Sequence, residues 1–114
     1  MKLLIVGSRS ITNFDLSPHI RVGVDTIISG GACGVDRLAE QYADLHGLSK
    51  YIIRPRYDIY GRAAPIVRNQ QMADIADEVL VIWDGVSKGT QHTLKYTKKI
   101  NKPTVLIVVN KDKA

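Results

Sequence analysis

Five short apolar runs, separated by stretches of helical periodicity, set the layout of this chain. Residues 2–6 form the first run, which stops at Gly7, Ser8 and Arg9. Thr26, Ile27 and Ile28 form the second, stopped by Ser29, Gly30 and Gly31. Tyr51, Ile52 and Ile53 form the third, closed by Arg54 and Pro55. Residues 78–83 are the fourth, ending at Asp84 and Gly85, and residues 104–109 are the fifth. These β-branched runs carry no polar alternation, which is the pattern of parallel strands covered on both faces.

Helices fit between the runs. Val35, Leu38, Ala39, Tyr42, Ala43 and Leu45 recur at helical spacing, and Gly47 supplies a stop. Pro65, Ile66, Met72, Ile75 and Ala76 mark a second helix, with the proline tolerated in its first turn. Thr90, Leu94, Thr97 and Ile100 mark a third, stopped by Asn101, Lys102 and Pro103. Between residues 11 and 24 the pattern is weaker and predicts one short helix around residues 15–20. Strand–helix alternation implies right-handed crossovers and an α/β fold: a Rossmann-like, three-layer domain with an open parallel sheet of about five strands. The 114 residues fit one such domain, residues 1–114, with no repeat or linker.

In an open parallel sheet, ligands bind beyond the carboxyl ends of the strands, where strand order reverses. The small and polar residues cluster at those ends. Gly7, Ser8 and Arg9 follow the first strand; Ser29, Gly30, Gly31, Ala32, Cys33 and Gly34 follow the second and open a helix. Asp84, Gly85, Val86, Ser87, Lys88, Gly89 and Thr90 follow the fourth and open another. Glycine lets the backbone take positive φ and approach an oxyanion closely. Amides at the helix start then donate to phosphate, aided by the helix dipole. Ser87 and Thr90 add hydroxyls and Lys88 adds charge. Two such loops on one sheet edge predict an anion site. Neither is a Walker loop, because no Gly-Lys-Ser/Thr occurs at the required spacing, and Gly7 lacks the partners of a dinucleotide fingerprint.

Individual side chains refine that expectation. Arg9 can clamp a phosphate bidentately or stand solvated. Arg68 and Asn69 fall inside the second helix, where asparagine is mildly unfavourable, so a packing or ligand role is expected. Asp36 lies in the first turn of its helix and suits a capping role, with a ribose contact or general base as the alternative. Trp83 can stack on a base or pack half-buried; Asp84 can bind a ribose or cap its own loop. Tyr57, Tyr60 and Arg62 form either a lid over the base or a partner contact. Cys33, before a helix start, is a weak nucleophile candidate. His19, His46 and His92 show no metal-ligand spacing, so no metal is expected.

Three of these motifs, in order, resemble the SLOG superfamily, which includes the DNA-processing A (Smf/DprA) and lonely-guy proteins. Residues 29–36, Ser-Gly-Gly-Ala-Cys-Gly-Val-Asp, resemble the Ser-Gly-x-Ala-x-Gly-Ile-Asp loop of the DNA-processing A domain. Arg68-Asn69 matches its Arg-Asn pair, and Ser87-Lys88-Gly89-Thr90 with Thr93 resembles its Ser-Gly-Ser-x-x-Thr element. The resemblance spans nearly the whole chain and is greatest to the small stand-alone YspA/cpYpsA-related members. It implies a Rossmann-like domain that binds a nucleotide or nucleotide-derived ligand, as a sensor or binding module, and associates into homo-oligomers.

Two other activities follow from the same resemblance. Lonely-guy enzymes are nucleotide N-glycosidic hydrolases (phosphoribohydrolases) whose loop ends in a catalytic glutamate. Here that position holds Thr93, so a hydrolase would draw on Asp36, Arg68 or Asp84 as catalytic candidates. The DNA-processing proteins bind single-stranded DNA with additional domains, so nucleic acid is the lesser expectation for this chain.

Composition changes this picture little. The net charge of +5 favours anionic partners. Lys95, Lys98, Lys99, Lys102, Lys111 and Lys113 crowd the end of the sequence, where they read as a solubilising surface. No apolar run approaches the roughly 20 residues of a membrane span, and the first residues are too short for a signal peptide. The lone cysteine cannot form an internal disulfide. A cytoplasmic location is the expectation.

Overall fold

The computed structural model describes residues 1–109; Lys111 and Lys113 of the basic stretch lie outside the described residues. Its strands are β1 (Lys2–Gly7), β2 (Thr26–Ser29), β3 (Ser49–Ile52), β4 (Glu78–Trp83) and β5 (Thr104–Val108). All pairings are parallel, in the order β3-β2-β1-β4-β5. The helices are α1 (Val35–Leu45), α2 (Tyr57–Tyr60), α3 (Ala64–Ile75) and α4 (Lys88–Lys99).

Central β1 and β4 are buried on both faces, as their unbroken apolar sequences require. On one face, Leu3, Ile5, Leu80 and Ile82 pack with Val35, Ala39 and Ala43 of α1 and with Ile11 and Leu16. On the other, Leu4, Val6, Val79 and Val81 pack with Met72 and Ala73 of α3 and Leu94 of α4. The architecture is therefore α/β with three layers and a Rossmann-like parallel sheet of five strands.

Helix boundaries follow local chemistry. Gly34 (φ 73°) turns the chain into α1, where a Cβ would press on the backbone of Ser8 and Arg9. Asn101, at φ 56°, ends α4, and asparagine is among the residues that tolerate this left-handed region. Three details differ from the sequence expectation. The strand expected at residues 51–53 runs over Ser49–Ile52, because Ser49 and Lys50 pair with Thr26 and Ile27 at an exposed edge. The helix expected around residues 15–20 is one 3-10 turn, Ser17–His19. Residues 57–63, to which the sequence pattern assigns no element, form α2 and a 3-10 turn on the surface. Among the described residues, no helix is long and apolar enough to cross a membrane.

Candidate functional site

Strand order reverses between β1 and β4, and a cleft of ≈ 380 Å³ opens beside their carboxyl ends. Four elements, with the loops beside them, contribute its walls. Val6, Gly7, Ser8, Arg9 and Ser10 come from the end of β1; Ala32 and Asp36 come from the loop before α1 and that helix's first turn. Pro65, Arg68 and Asn69 come from α3, while Ser87, Gly89, Thr90 and Thr93 come from the start of α4. Residues from all three sequence motifs thus meet in one hollow.

The two glycine-rich loops differ in what they leave open. Before α1, the Asp36 carboxylate itself accepts the Ala32 amide at 3.2 Å, and the Val35 amide donates to the Ser8 carbonyl at 3.3 Å. The α1 terminus therefore carries its own anion. Ser87 precedes α4 without capping it through its side chain. Asp84 Oδ1 takes the Ser87 amide at 2.8 Å, but the Lys88, Gly89 and Thr90 amides that follow have no acceptor within the described residues and remain as donors beside the Thr90 hydroxyl.

Charge in the cleft is mostly positive. Arg9 is exposed and makes no hydrogen bond or ion pair within the described residues. Arg68 is buried and donates from Nη1 to the Gly30 carbonyl and from Nε to Asn69 Oδ1, both at 2.7 Å. Burial lowers its pKa from the usual arginine value, opposed by the nearby Asp36. Asp36 is raised above the usual carboxylate value, because burial outweighs the Ala32 amide and the Arg68 and Arg9 charges. Gly30 lets these groups meet: a Cβ there would lie 2.6 Å from Arg68 Nη1 and 2.9 Å from Asp36 Oδ2.

Other residues singled out from the sequence stand around the cleft. Ser29 is buried beneath its loop, bonded to Glu40 Oε2 (3.1 Å) and the Gly31 amide (3.3 Å). Gly30 and Gly31 face a neighbouring hollow, and Gly34 is buried at the start of α1. Asp84 is absent from the cleft wall. Its Oδ1 accepts the Val86 and Ser87 amides at 2.9 and 2.8 Å, and its Oδ2 accepts the Ser10 hydroxyl at 2.9 Å. Desolvation would raise its pKa, but these donors and the Ser87 hydroxyl hold it well below the usual carboxylate range. Trp83 packs against the α3–α4 core cluster and donates Nε1–H to the Ser87 carbonyl at 3.0 Å. Lys88 and Cys33 are exposed outside the cleft, as are Tyr57, Tyr60 and Arg62. Among the described residues, no group of three or more His, Cys, Asp or Glu side chains could hold a metal ion.

Sequence reasoning missed Ser10 and the cleft-facing role of Pro65. Ser10 directly follows the Gly7-Ser8-Arg9 turn, and that position was its only signal. No family model matches the chain, and neither curated proteins nor solved structures yield a match.

Proposed function

We propose that the cleft binds a nucleotide or nucleotide-derived ligand and that the protein acts as a sensor or binding module. The observation that carries this reading is the convergence of Arg9, Arg68 and the uncapped start of α4 on one hollow at the strand-order reversal. A phosphate there accepts amides from the first turn of α4 and a bidentate contact from Arg9. Gly89, where a Cβ would meet nothing within 4 Å, keeps the approach clear of a side chain; Gly7 is instead required by the Ile82 carbonyl and Val35 packed against it. The SLOG resemblance, carried by the same three motifs, supports a nucleotide over other phosphates. Association into homo-oligomers belongs to the same proposal. Val105, Leu106 and Val108 leave an apolar strip on edge strand β5 that a second copy would bury.

Thermal melts with nucleotides, ADP-ribose, NAD and cyclic nucleotides test the reading. A ligand at a hundred times its dissociation constant adds about 2.7 kcal/mol of stability. At least one phosphorylated ligand should raise the melting temperature and be recovered unchanged. No shift with any of them would overturn the proposal.

One observation favours a second reading, nucleotide N-glycosidic hydrolysis. Asp36 is a buried carboxylate with a raised pKa in the cleft wall, beside Arg68, which is the setting of a general acid. Release of free base from a bound nucleotide, abolished by Asp36→Asn, would establish it in place of simple binding.

A further inference from the structure

Next to the cleft lies a second hollow of ≈ 290 Å³ around the loop after β2. Three arginines line it, Arg9, Arg54 and Arg68, and no acidic side chain does. Arg9, Ala32 and Arg68 line both hollows, so the two spaces adjoin across them. We propose that this hollow is a second anion subsite, so that the ligand carries two adjoining phosphoryl groups, as in a nucleoside diphosphate or a pyrophosphate-linked nucleotide. The inference rests on the nucleotide reading above and narrows it to that ligand class.

Three features support it. Three guanidinium groups around one hollow repel one another; the carboxylate that acts on Arg68 and Arg9, Asp36, stands in the wall of the adjoining cleft and not of this hollow, so an anion here would offset them. Their bonding within the protein is also incomplete. Arg54 makes a single bond, from Nη1 to the Gly31 carbonyl at 3.3 Å, and Arg9 makes none within the described residues, leaving most of their N–H groups free. Finally, the backbone is shaped for the arginine. Gly31 has φ 73°, and a Cβ there would come within 2.8 Å of Arg54 Nη1. Because Arg9 lines both spaces, the two anionic groups must lie within reach of one guanidinium fork. Directly bonded phosphoryl groups meet that condition.

The test needs no knowledge of the base. Inorganic phosphate and inorganic pyrophosphate are titrated calorimetrically at low ionic strength into the wild type, Arg54→Gln and Arg56→Ala. Arg56 is exposed, pairs with Asp58 and lies outside both hollows, so its variant controls for net charge alone. Arg54 is also exposed, and a melt checks that its variant stays folded. Pyrophosphate should bind the wild type about tenfold more tightly than phosphate, as one or two charge-assisted hydrogen bonds provide. Arg54→Gln should erase most of that advantage while phosphate affinity stays within about twofold, and Arg56→Ala should preserve it. Phosphate binding without a pyrophosphate advantage overturns this inference and leaves the nucleotide reading standing. Equal weakening of both probes by Arg54→Gln, or loss of the advantage in Arg56→Ala, also overturns it. Failure of both probes to bind overturns the nucleotide reading as well.

Discussion

Arg68 in α3 donates to the Gly30 carbonyl at the end of β2, a 2.7 Å bond between residues 38 apart in sequence. It ties a helix on one face of the sheet to the loop that opens a helix on the other. The guanidinium is buried, so its removal orphans a buried carbonyl and strips Asp36 of the stronger of its two opposing charges, Arg68 over Arg9. Arg68→Ala should therefore cost about 2 to 3 kcal/mol in urea unfolding with an unchanged m-value. Arg68→Lys keeps the charge but loses the fork that reaches Gly30 and Asn69 together, so its loss should be intermediate. A loss under about 0.5 kcal/mol in the alanine variant would mean that the bond contributes nothing in solution.

Two glycines in the same region should respond to alanine with opposite signs. Gly89 lies in the first turn of α4, and a Cβ there meets nothing within 4 Å. Gly89→Ala should raise stability by about 0.5 to 1 kcal/mol, because alanine loses less backbone entropy in a helix. The open space beside it is the proposed phosphate position, so the same change should weaken phosphate binding. At Gly30 a Cβ meets Arg68 Nη1 at 2.6 Å, and Gly30→Ala should cost roughly 1 to 3 kcal/mol through displacement of that buried group. Paired melts and phosphate titrations check both. A Gly89→Ala variant that gains stability yet binds phosphate normally would remove the start of α4 from the site.

Much of this arrangement was legible in the sequence, for reasons that also mark where legibility ends. β1 and β4 are continuous apolar runs because both of their faces are covered, so they declare themselves without tertiary information. Edge strand β3 begins at Ser49 and Lys50, which are exposed and held by backbone pairing to Thr26 and Ile27 and, for Lys50, by a surface ion pair with Asp44. Such residues carry no hydrophobic signal. Four-residue α2 is surface-exposed throughout and too short for any periodicity. The glycine loops were visible because glycine at a strand end has a narrow set of physical reasons. The clasp of Arg68 on Gly30 and the folding of Asp84 into its own loop were not, since each depends on which acceptor lies within reach after folding.

Asp84 is expected to matter for stability and its acid dependence. Asp84→Ala removes the acceptor of the Val86 and Ser87 amides and the Ser10 hydroxyl at a site open to water, at a cost of about 1 kcal/mol at neutral pH. Its folded pKa lies below the unfolded value of 3.8, so its contribution is fully present above that value and fades as pH falls through the folded pKa. Wild type and variant should therefore converge in stability under strong acid. A difference that stays constant from neutral pH to acid would assign the effect to packing and not to the carboxylate.

Asp36 should behave in the opposite sense. Its folded pKa lies above the ordinary 3.8, raised by burial and by Glu40 against the Ala32 amide, Arg68 and Arg9. A raised carboxyl favours the protonated form on folding, so stability is lost as pH rises from about 3.8 through the folded value and stays lost above it. Asp36→Asn retains an oxygen to accept the Ala32 amide but cannot ionise. Relative to wild type, it should be more favourable at pH 7 than at pH 3 in matched urea unfolding, and the removed charge should tighten phosphate binding at neutral pH. Greater instability at pH 7 than at pH 3 would instead mean that ionised Asp36 is a net stabilising partner of Arg68. Intact phosphate affinity with loss of base release from a nucleotide would transfer Asp36 from holding the loop to catalysis, because only a reacting proton separates those two outcomes.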